Sequence, residues 1–282
     1  MKAISYSIFG YGKERHAQSF DFNSYLRGLM ICIRMNRLIY PDWQIILQTD
    51  QSTYEGWKDL FNRLPIKLEV HQNDVPLTLA MLWRLRPVFD TREDGTWKYS
   101  HVLCRDLDSP ATYREAQAVK YWMNKDKAMH AITDSVSHDI PLLGGMIGMR
   151  PAYFTERMNI KTWKDLININ PNYDWQTKGA DQMFLRDVVY PRFAQHGSDS
   201  ITQHYVLGMP NTFLSDYHNS IQPMELDIPF EMKESNNICG HIGAAGWYEA
   251  ALFKFLRKHW GKFSDILEIE KQYSNIFYWV NE

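Results

Sequence analysis

The chain has 282 residues and a formal net charge of −2, with 45% hydrophobic and 23% charged residues. These values are typical of a globular protein and exclude a disordered chain, a collagen and a coiled coil. Because there is no basic surplus, we expect no nucleic-acid partner. The three cysteines, Cys32, Cys104 and Cys239, are too far apart for a CxxC zinc site. Their odd number also argues against a disulfide framework and favours a reducing compartment.

The first ten residues contain no apolar core of a signal peptide. No stretch of the sequence approaches the roughly 18 apolar residues that a membrane-spanning helix needs. We therefore expect a soluble, cytoplasmic protein without a membrane span.

The hydrophobic pattern predicts strands that alternate with helices through the first half of the chain. Predicted strands cover residues 3–9, 43–48, 66–70, 101–104, 128–133 and 142–149. Predicted helices cover residues 24–38, 54–64, 77–89, 115–124, 180–189 and 247–259. This alternation indicates parallel βαβ units, in which ligands bind beyond the carboxyl ends of the strands. Since no linker or repeat interrupts the pattern, we expect one domain over residues 1–282.

Two carboxylates, Asp106 and Asp108, follow the strand predicted at residues 101–104. Residues two apart on extended backbone face the same side, and like charges there repel unless a cation lies between them. Mg²⁺ and Mn²⁺ are commonly bound by one or two carboxylates together with substrate phosphates. The pair therefore predicts a divalent-metal site, and the alternative is a solvated acidic turn.

A helix is predicted to begin after Gly179, with Asp181 and Gln182 in its first turn. The positive end of a helix favours a carboxylate, so we expect Asp181 to stay ionised. One interpretation is a carboxylate and an amide that face a substrate hydroxyl. The alternative is an ordinary acidic residue at a helix start.

Glycines and arginines add two further candidates. Gly144 and Gly145 fall inside a predicted strand, where glycine indicates a close approach by a ligand or backbone, or else a bulge. Arg84 and Arg86 precede the acidic pair and could reach a diphosphate through bidentate hydrogen bonds. Surface arginines are the alternative.

Two later segments carry residues that bind metals or sugars in other proteins. Asp134 follows the strand predicted at residues 128–133, with His138 and Asp139 close behind. These groups could orient sugar hydroxyls or cap a turn. His241 lies among small residues, where a structural role and metal ligation are both open.

Taken in order, these motifs resemble a nucleotide-sugar-dependent glycosyltransferase of the GT-A fold. Their order is similar to that of the glycogenin-like and bacterial lipopolysaccharide galactosyltransferase family. The matching residues are Arg84-Leu85, Asp106-Leu107-Asp108, Gly144-Gly145, Asp181-Gln182 and His241. The run at residues 105–109, with the later Asp134, His138 and paired glycines, also resembles capsular and viral glycosyltransferases. The chain departs from the first family where Leu-Gly-Gly replaces Asn-x-Gly and where no Lys-Pro-Trp follows His241.

The resemblance implies a single GT-A, Rossmann-like α/β domain with a mixed, mainly parallel central sheet flanked by helices. Residues 1–108 would bind the nucleotide sugar, and residues 109–282 would bind the acceptor and close over the donor. The implied reaction moves a sugar from a nucleoside diphosphate sugar, with UDP favoured, to an acceptor hydroxyl on a glycan or glycoconjugate. Retention of the anomeric configuration is weakly favoured.

The resemblance also implies roles for individual residues. The ligands of a bound Mn²⁺ or Mg²⁺ would be Asp106, Asp108 and His241. The donor-binding residues would be Phe9, Gly10, Tyr11, Asp50, Arg84, Arg86, Gly144 and Gly145. The catalytic residues would be Asp181, Gln182 and Asp134. Asp181 would be the base of an inverting enzyme or a stabiliser of positive charge in a retaining one.

Two other functions fit parts of the pattern. A metal-dependent sugar nucleotidyltransferase or phosphohydrolase also places carboxylates at strand ends. The segment at residues 9–13 is a poor version of the phosphate loop that a nucleotidyltransferase carries. A non-catalytic carbohydrate-binding protein would use the aromatic residues but would not need Asp181-Gln182.

Overall fold

The computed structural model describes residues 1–12, 21–72, 75–133, 140–196, 200–205, 224–225 and 250–281. Within these ranges, eight strands form one sheet in the order β3-β2-β1-β4-β6-β5-β7-β8. The strands are β1 Lys2–Ile8, β2 Trp43–Asp50, β3 Lys67–His71, β4 His101–Arg105, β5 Met129–Thr133, β6 Met146–Met149, β7 Ile201–Tyr205 and β8 Met224–Glu225. All neighbouring pairs are parallel except those of β6, which is antiparallel to β4 and β5.

Helices cover both faces of this sheet. The α-helices are α1 Phe22–Ile39, α2 Gln51–Phe61, α3 Leu77–Met81, α4 Tyr113–Met123, α5 Pro151–Met158, α6 Trp163–Ile167, α7 Ala180–Phe184, α8 Tyr190–Ala194, α9 Ala250–Arg257 and α10 Ser264–Glu270. A 3₁₀-helix, Leu82–Phe89, continues α3, and a π-helical turn, Leu185–Val189, joins α7 to α8. Three short 3₁₀-helices lie near the C-terminus, at Trp260–Phe263, Lys271–Tyr273 and Tyr278–Asn281.

The predicted fold class is confirmed: the chain forms an α/β structure with a mixed, mainly parallel sheet flanked by helices. Three predicted elements differ from the structure. The strand predicted at residues 142–149 begins only at Met146, because the two glycines before it form a turn. The helix predicted at residues 77–89 changes to 3₁₀ geometry, and it contains Pro87, which has no N–H to donate. The helix predicted at residues 180–189 widens into the π-helical turn and then continues as α8.

Alternation along the strands divides the core into two clusters on opposite faces of the sheet. On β4, Leu103 packs toward α1, whereas Val102 and Cys104 pack toward the 3₁₀-helix Leu82–Phe89. The same alternation operates on β1 and β2, so the strands are apolar on both faces. Both-sided burial of this kind explains why these strands read as continuous apolar runs.

The C-terminal helices are fixed to α1 by buried and surface ion pairs. Arg34 donates two hydrogen bonds to Glu270, at 2.6 and 2.5 Å, and both side chains are fully buried. Arg37 makes a second two-bond pair with Asp265. The Arg34 guanidinium also lies over the ring of Trp260, 5.0 Å from its centre. A buried, two-pronged pair of this kind fixes geometry more than it adds stability.

Parallel pairing brings the carboxyl ends of β1, β2 and β4 to one edge of the sheet. Because β6 runs the other way, its first residue lies at that same edge, where Met146 pairs with Arg105. One step further along this register, Gly145 faces Asp106. The topology therefore places the glycine turn against the acidic pair. Of the helices that the structure describes, none is long and apolar enough to cross a membrane.

Candidate functional site

The candidate site is centred on the guanidinium of Arg84, which is only 2% exposed. Its Nη1 atom donates to Asp106 Oδ1, and its Nη2 atom lies 3.7 Å from Asp181 Oδ2. Asp181 is as buried as the arginine, whereas 42% of the Asp106 side chain is exposed. The structure therefore brings together three residues that are 22 and 75 positions apart in sequence.

The charges in this cluster are strongly coupled. Burial alone would lower the pKa of Arg84, but the carboxylates of Asp106 and Asp181 outweigh it and raise that pKa above its ordinary value. Arg84 therefore stays cationic at every physiological pH. Among the residues that the structure describes, Arg84 is the cation that faces the carboxylates of Asp106, Asp108 and Asp181, so these four groups carry a formal excess of negative charge when all three carboxylates are ionised.

The two glycines of the turn before β6 lie directly against this cluster. A Cβ atom on Gly144 would lie 3.0 Å from Arg84 Cζ and even closer to its Nη2 atom. A Cβ atom on Gly145 would overlap the Asp106 carboxyl group and lie 3.1 Å from its Cβ. The sequence prediction of a close approach is consistent with this geometry, although the glycines lie in a turn rather than in a strand.

The acidic pair lies in a turn, not on extended backbone as the sequence predicted. The strand ends at Arg105, and the N–H of Ser109 donates to the Asp106 carbonyl at 3.3 Å to close the turn. The two carboxylates nevertheless interact: burial, together with the charge of Asp106, raises the pKa of Asp108 to about 6. A bound cation would relieve this repulsion.

Asp181 and Gln182 lie in the first turn of α7, as predicted, after Gly179 in the left-handed conformation at φ 81°. The sequence indicated that the helix start would dominate the ionisation of Asp181, but burial is the larger influence. Burial raises the pKa of Asp181, Arg84 opposes the shift, and Asp106 adds to it. Asp181 Oδ2 also has no hydrogen-bond partner within the part of the chain that the structure describes. Gln182 Oε1 accepts from the N–H of Gly144 at 3.2 Å, which fixes the glycine turn.

The residues predicted to hold the nucleoside lie at the ends of β1 and β2. Asp50 is buried and caps α2, where it accepts from the N–H of Thr53 at 3.1 Å. The same carboxylate accepts from the N–H of Gly10 at 3.2 Å. Asp50 therefore shapes the loop after β1. Phe9 packs edge-on against Trp83, and Tyr11 remains 40% exposed.

Arg86 does not join Arg84. A 3₁₀-helix turns once every three residues, so side chains two positions apart point in different directions. The Arg86 guanidinium lies over the ring of Trp163, 5.5 Å from its centre. Burial, together with the charge of Arg86, lowers the pKa of His71 to about 4.

Two predicted site residues, Asp134 and His241, lie outside the described residues, as do His138, Asp139 and Lys13. Within the described ranges, no group of three or more metal-ligating side chains is present. Asp106 and Asp108 are thus the two candidate metal ligands that the structure describes at the site.

Sequence reasoning missed the supports beneath the acidic turn. Arg105 is fully buried and donates from Nε to Glu115 Oε1 at 2.6 Å, and Tyr40 also donates to that carboxylate. On the other side of the turn, Gly28 of α1 lies so close to the Leu107 carbonyl that a Cβ atom would overlap it. The sequence signal for the buried Arg105–Glu115 pair was a charged residue, Arg105, at the end of an otherwise apolar strand.

No protein-family model matches the chain, and there is no match among curated proteins. The chain is similar to the solved structure of 4-diphosphocytidyl-2C-methyl-D-erythritol synthase from Anaerococcus prevotii, at 11% identity with a TM-score of 0.40, over 78% of this chain and 94% of that one. It is similar to glycosyltransferase GlyE from Streptococcus pneumoniae, at 10% identity with a TM-score of 0.42, over 91% and 63% of the two chains. Mouse xyloside xylosyltransferase 1 matches at 9% identity with a TM-score of 0.37, over 82% and 99%. Similarity of this degree assigns neither a family nor an activity to the chain.

Proposed function

We propose that the chain is a metal-dependent glycosyltransferase of the GT-A type, which moves a sugar from a nucleoside diphosphate sugar to an acceptor hydroxyl on a glycan or glycoconjugate. The observation that carries the proposal is the meeting of Arg84, the acidic turn, the glycine turn and α7 at the carboxyl edge of the sheet. Ligands of open α/β sheets bind at that edge. A UDP-sugar is the first donor to test.

The charge of the cluster supports a cation in the reaction. Asp106, Asp108 and Asp181 outnumber Arg84, so a diphosphate would be repelled unless a further positive charge joined it. The partly exposed carboxylate of Asp106 and the more buried one of Asp108 fit Mg²⁺ or Mn²⁺, which take oxygen ligands and share substrate phosphates. When bound there, the metal would act as a Lewis acid toward the leaving diphosphate. His241 remains a proposed third ligand.

Individual residues of the chain would then have separate roles in the reaction. Arg84 supplies a fixed positive charge behind the acidic turn, and because its side chain is only 2% exposed it would act on the leaving diphosphate through its electric field and not by direct contact. Gly144 and Gly145 are proposed to line the sugar site; their missing side chains leave room for Arg84 and Asp106, and Gln182 holds their turn. Asp134 and the exposed ring of Tyr11 are proposed to contact the sugar and the base, respectively.

The burial of Asp181 favours retention of the anomeric configuration over inversion in this proposal. A general base must lie within hydrogen-bond reach of the acceptor proton, but the Asp181 side chain is 2% exposed and faces Arg84. Its contact with Arg84 suits a role in holding that cation and in balancing positive charge at the anomeric carbon. Determination of the product's anomeric configuration by NMR tests this assignment.

The experiment that tests the function is incubation with a panel of UDP- and GDP-sugars, with Mn²⁺, with Mg²⁺ and with a chelator. Release of a nucleoside diphosphate that depends on the metal supports the proposal. Release or consumption of pyrophosphate would instead indicate a sugar nucleotidyltransferase or phosphohydrolase. Binding of a glycan without any turnover would indicate a carbohydrate-binding protein.

A matched pair of variants makes the test specific. Asp108→Asn should abolish turnover and metal-dependent binding of the nucleoside diphosphate, because it removes one of the two described metal ligands. Asp42→Asn changes an exposed aspartate at the start of β2 and should leave both unchanged. Full activity of Asp108→Asn in the presence of the chelator would refute the metal-dependent mechanism.

A further inference from the structure

Two buried thiols contact the backbone of the candidate site from opposite faces of the sheet. The Cys104 thiol donates to the carbonyl oxygen of Arg84 at 3.3 Å. The Cys32 thiol donates to the carbonyl oxygen of Leu107, between the two aspartates, at 3.4 Å. Both cysteines are fully buried, each in a different core cluster. The Cys32 thiol also lies 4.0 Å from the carbonyl oxygen of Asp106, so both thiols contact backbone carbonyls of the residues that carry the site.

Arg84 is held at two points, its backbone carbonyl and its guanidinium, and Cys104 holds the first of these. The Cys104 side chain lies on the face of β4 that packs against the 3₁₀-helix Leu82–Phe89. Cys104 holds the Arg84 carbonyl, while Asp106 accepts from the Arg84 guanidinium. A shift of the 3₁₀-helix along β4 would break both contacts together.

The bond from Cys32 completes a contact surface on α1. Gly28 and Cys32 are four residues apart, and so lie on one face of the helix. Gly28 lets the helix axis approach the Leu107 carbonyl, and Cys32 donates to that same oxygen. The backbone between Asp106 and Asp108 is thereby held against α1.

We propose that Cys104 and Cys32 are positioning residues that fix the separation between the Arg84 guanidinium and the two carboxylates of the acidic turn. The catalytic consequence rests on the proposed function, but the two thiol hydrogen bonds do not. Both thiols are fully buried and lie within hydrogen-bond distance of carbonyl oxygens, which can only accept. The assigned role is therefore that of a hydrogen-bond donor and not of a nucleophile.

A substitution series at Cys104 separates the hydrogen bond from the packing. Cys104→Ser keeps a donor, Cys104→Ala removes it and leaves a small void, and Cys104→Val removes it while filling the space. The same series is made at Cys32. Two readouts need no substrate: the infrared S–H stretching band of each thiol, and the NMR resonance of the Arg84 Nε–H group.

We expect the S–H bands lost in Cys104→Ala and Cys32→Ala to lie at the lower frequencies typical of hydrogen-bonded thiols. The Arg84 resonance should shift in Cys104→Ala and Cys104→Val but stay near its wild-type position in Cys104→Ser. With an active sugar donor as substrate, kcat should fall about 10- to 100-fold in Cys104→Ala and Cys104→Val, which lack the hydrogen-bond donor. KM should change less than threefold. Cys104→Ser should recover most of kcat.

The outcomes are decisive in either direction. Wild-type kcat and an unshifted Arg84 resonance in both Cys104→Ala and Cys104→Val would overturn the proposal, as would S–H bands at the frequencies of free thiols. Equal losses in all three variants, in step with their melting temperatures, would assign a packing role only. If no nucleotide sugar is turned over, the proposed function fails, whereas the infrared and NMR results still decide the role of the thiols.

Discussion

Substitution of Gly145 by alanine should inactivate the site while leaving the protein folded. The added Cβ atom would overlap the Asp106 carboxyl group, which has to move by more than about 1 Å to reach an ordinary contact distance. The carboxylate is at the end of a short side chain and is 42% exposed, so it can rotate toward solvent. That rotation breaks its hydrogen bond to Arg84 and moves one of the two proposed metal ligands.

The structure sets the size of both effects. A displacement of about 1 Å in a catalytic group commonly costs on the order of 10²-fold in rate, so kcat/KM should fall by about that factor. Arg84 loses one partner but keeps Asp181 nearby, so the free energy of unfolding should fall by about 1–3 kcal/mol, the usual cost of an unsatisfied buried group. A protein with ordinary stability of about 5–15 kcal/mol stays folded after such a loss.

The assay is release of nucleoside diphosphate from the donor selected by the panel, with chemical denaturation measured in parallel. Gly261→Ala is the matched control, because an added Cβ atom there would meet open space. Wild-type kcat/KM for Gly145→Ala would show that the position of Asp106 is unimportant for turnover. A loss of kcat/KM as large in Gly261→Ala would show that the effect is not specific to the site.

Three further predictions concern the supports of the site. Gly28→Ala should lower the free energy of unfolding by about 1–3 kcal/mol, because the overlapped atom belongs to the backbone and the helix must shift; denaturation curves measure this. Glu115→Leu should cost about 3–5 kcal/mol by leaving Arg105 buried without its carboxylate, and addition of Arg105→Met should recover part of the loss, as a double-mutant cycle will show. Burial, with the charges of Arg150 and Lys2, lowers the pKa of His101 from 6.5 to about 4, so the unfolded chain binds a proton in this window that the folded protein excludes. Stability should therefore fall as the pH falls from 6.5 to 4, and His101→Phe should reduce that fall in melting curves recorded across the range.

The sequence predicted most of the elements of the sheet because each strand carries its own signal. The first four strands are short apolar runs between helices, and all four form where they were predicted, give or take two residues. Their parallel pairing followed from the alternation of strand and helix. The pairing of β6 with β4 carried no such signal, because α4 and β5 separate the two strands in sequence.

Some of the predicted site residues meet in the structure, and one of them, Arg86, does not. Arg84, Asp106, Gly145 and Asp181 meet at one point, as the order of the motifs suggested. Arg86 was grouped with Arg84 by sequence proximity alone, but residues two positions apart on a helix point in different directions. The Arg86 guanidinium lies over Trp163, and a contact with a residue so far along the chain leaves no local pattern in the sequence.

The pKa of Asp181 shows most clearly where reasoning from sequence stops. From the chain alone, the start of a helix was the strongest visible influence on this carboxylate, and it favours the ionised form. In the folded protein, burial acts on the same group in the opposite direction and raises its pKa. Arg84, 97 residues earlier, lies 3.7 Å from the carboxylate, is equally buried and opposes that rise. Distance in sequence hides both the cation and the loss of solvent, so the sign of the shift is a property of the assembled site.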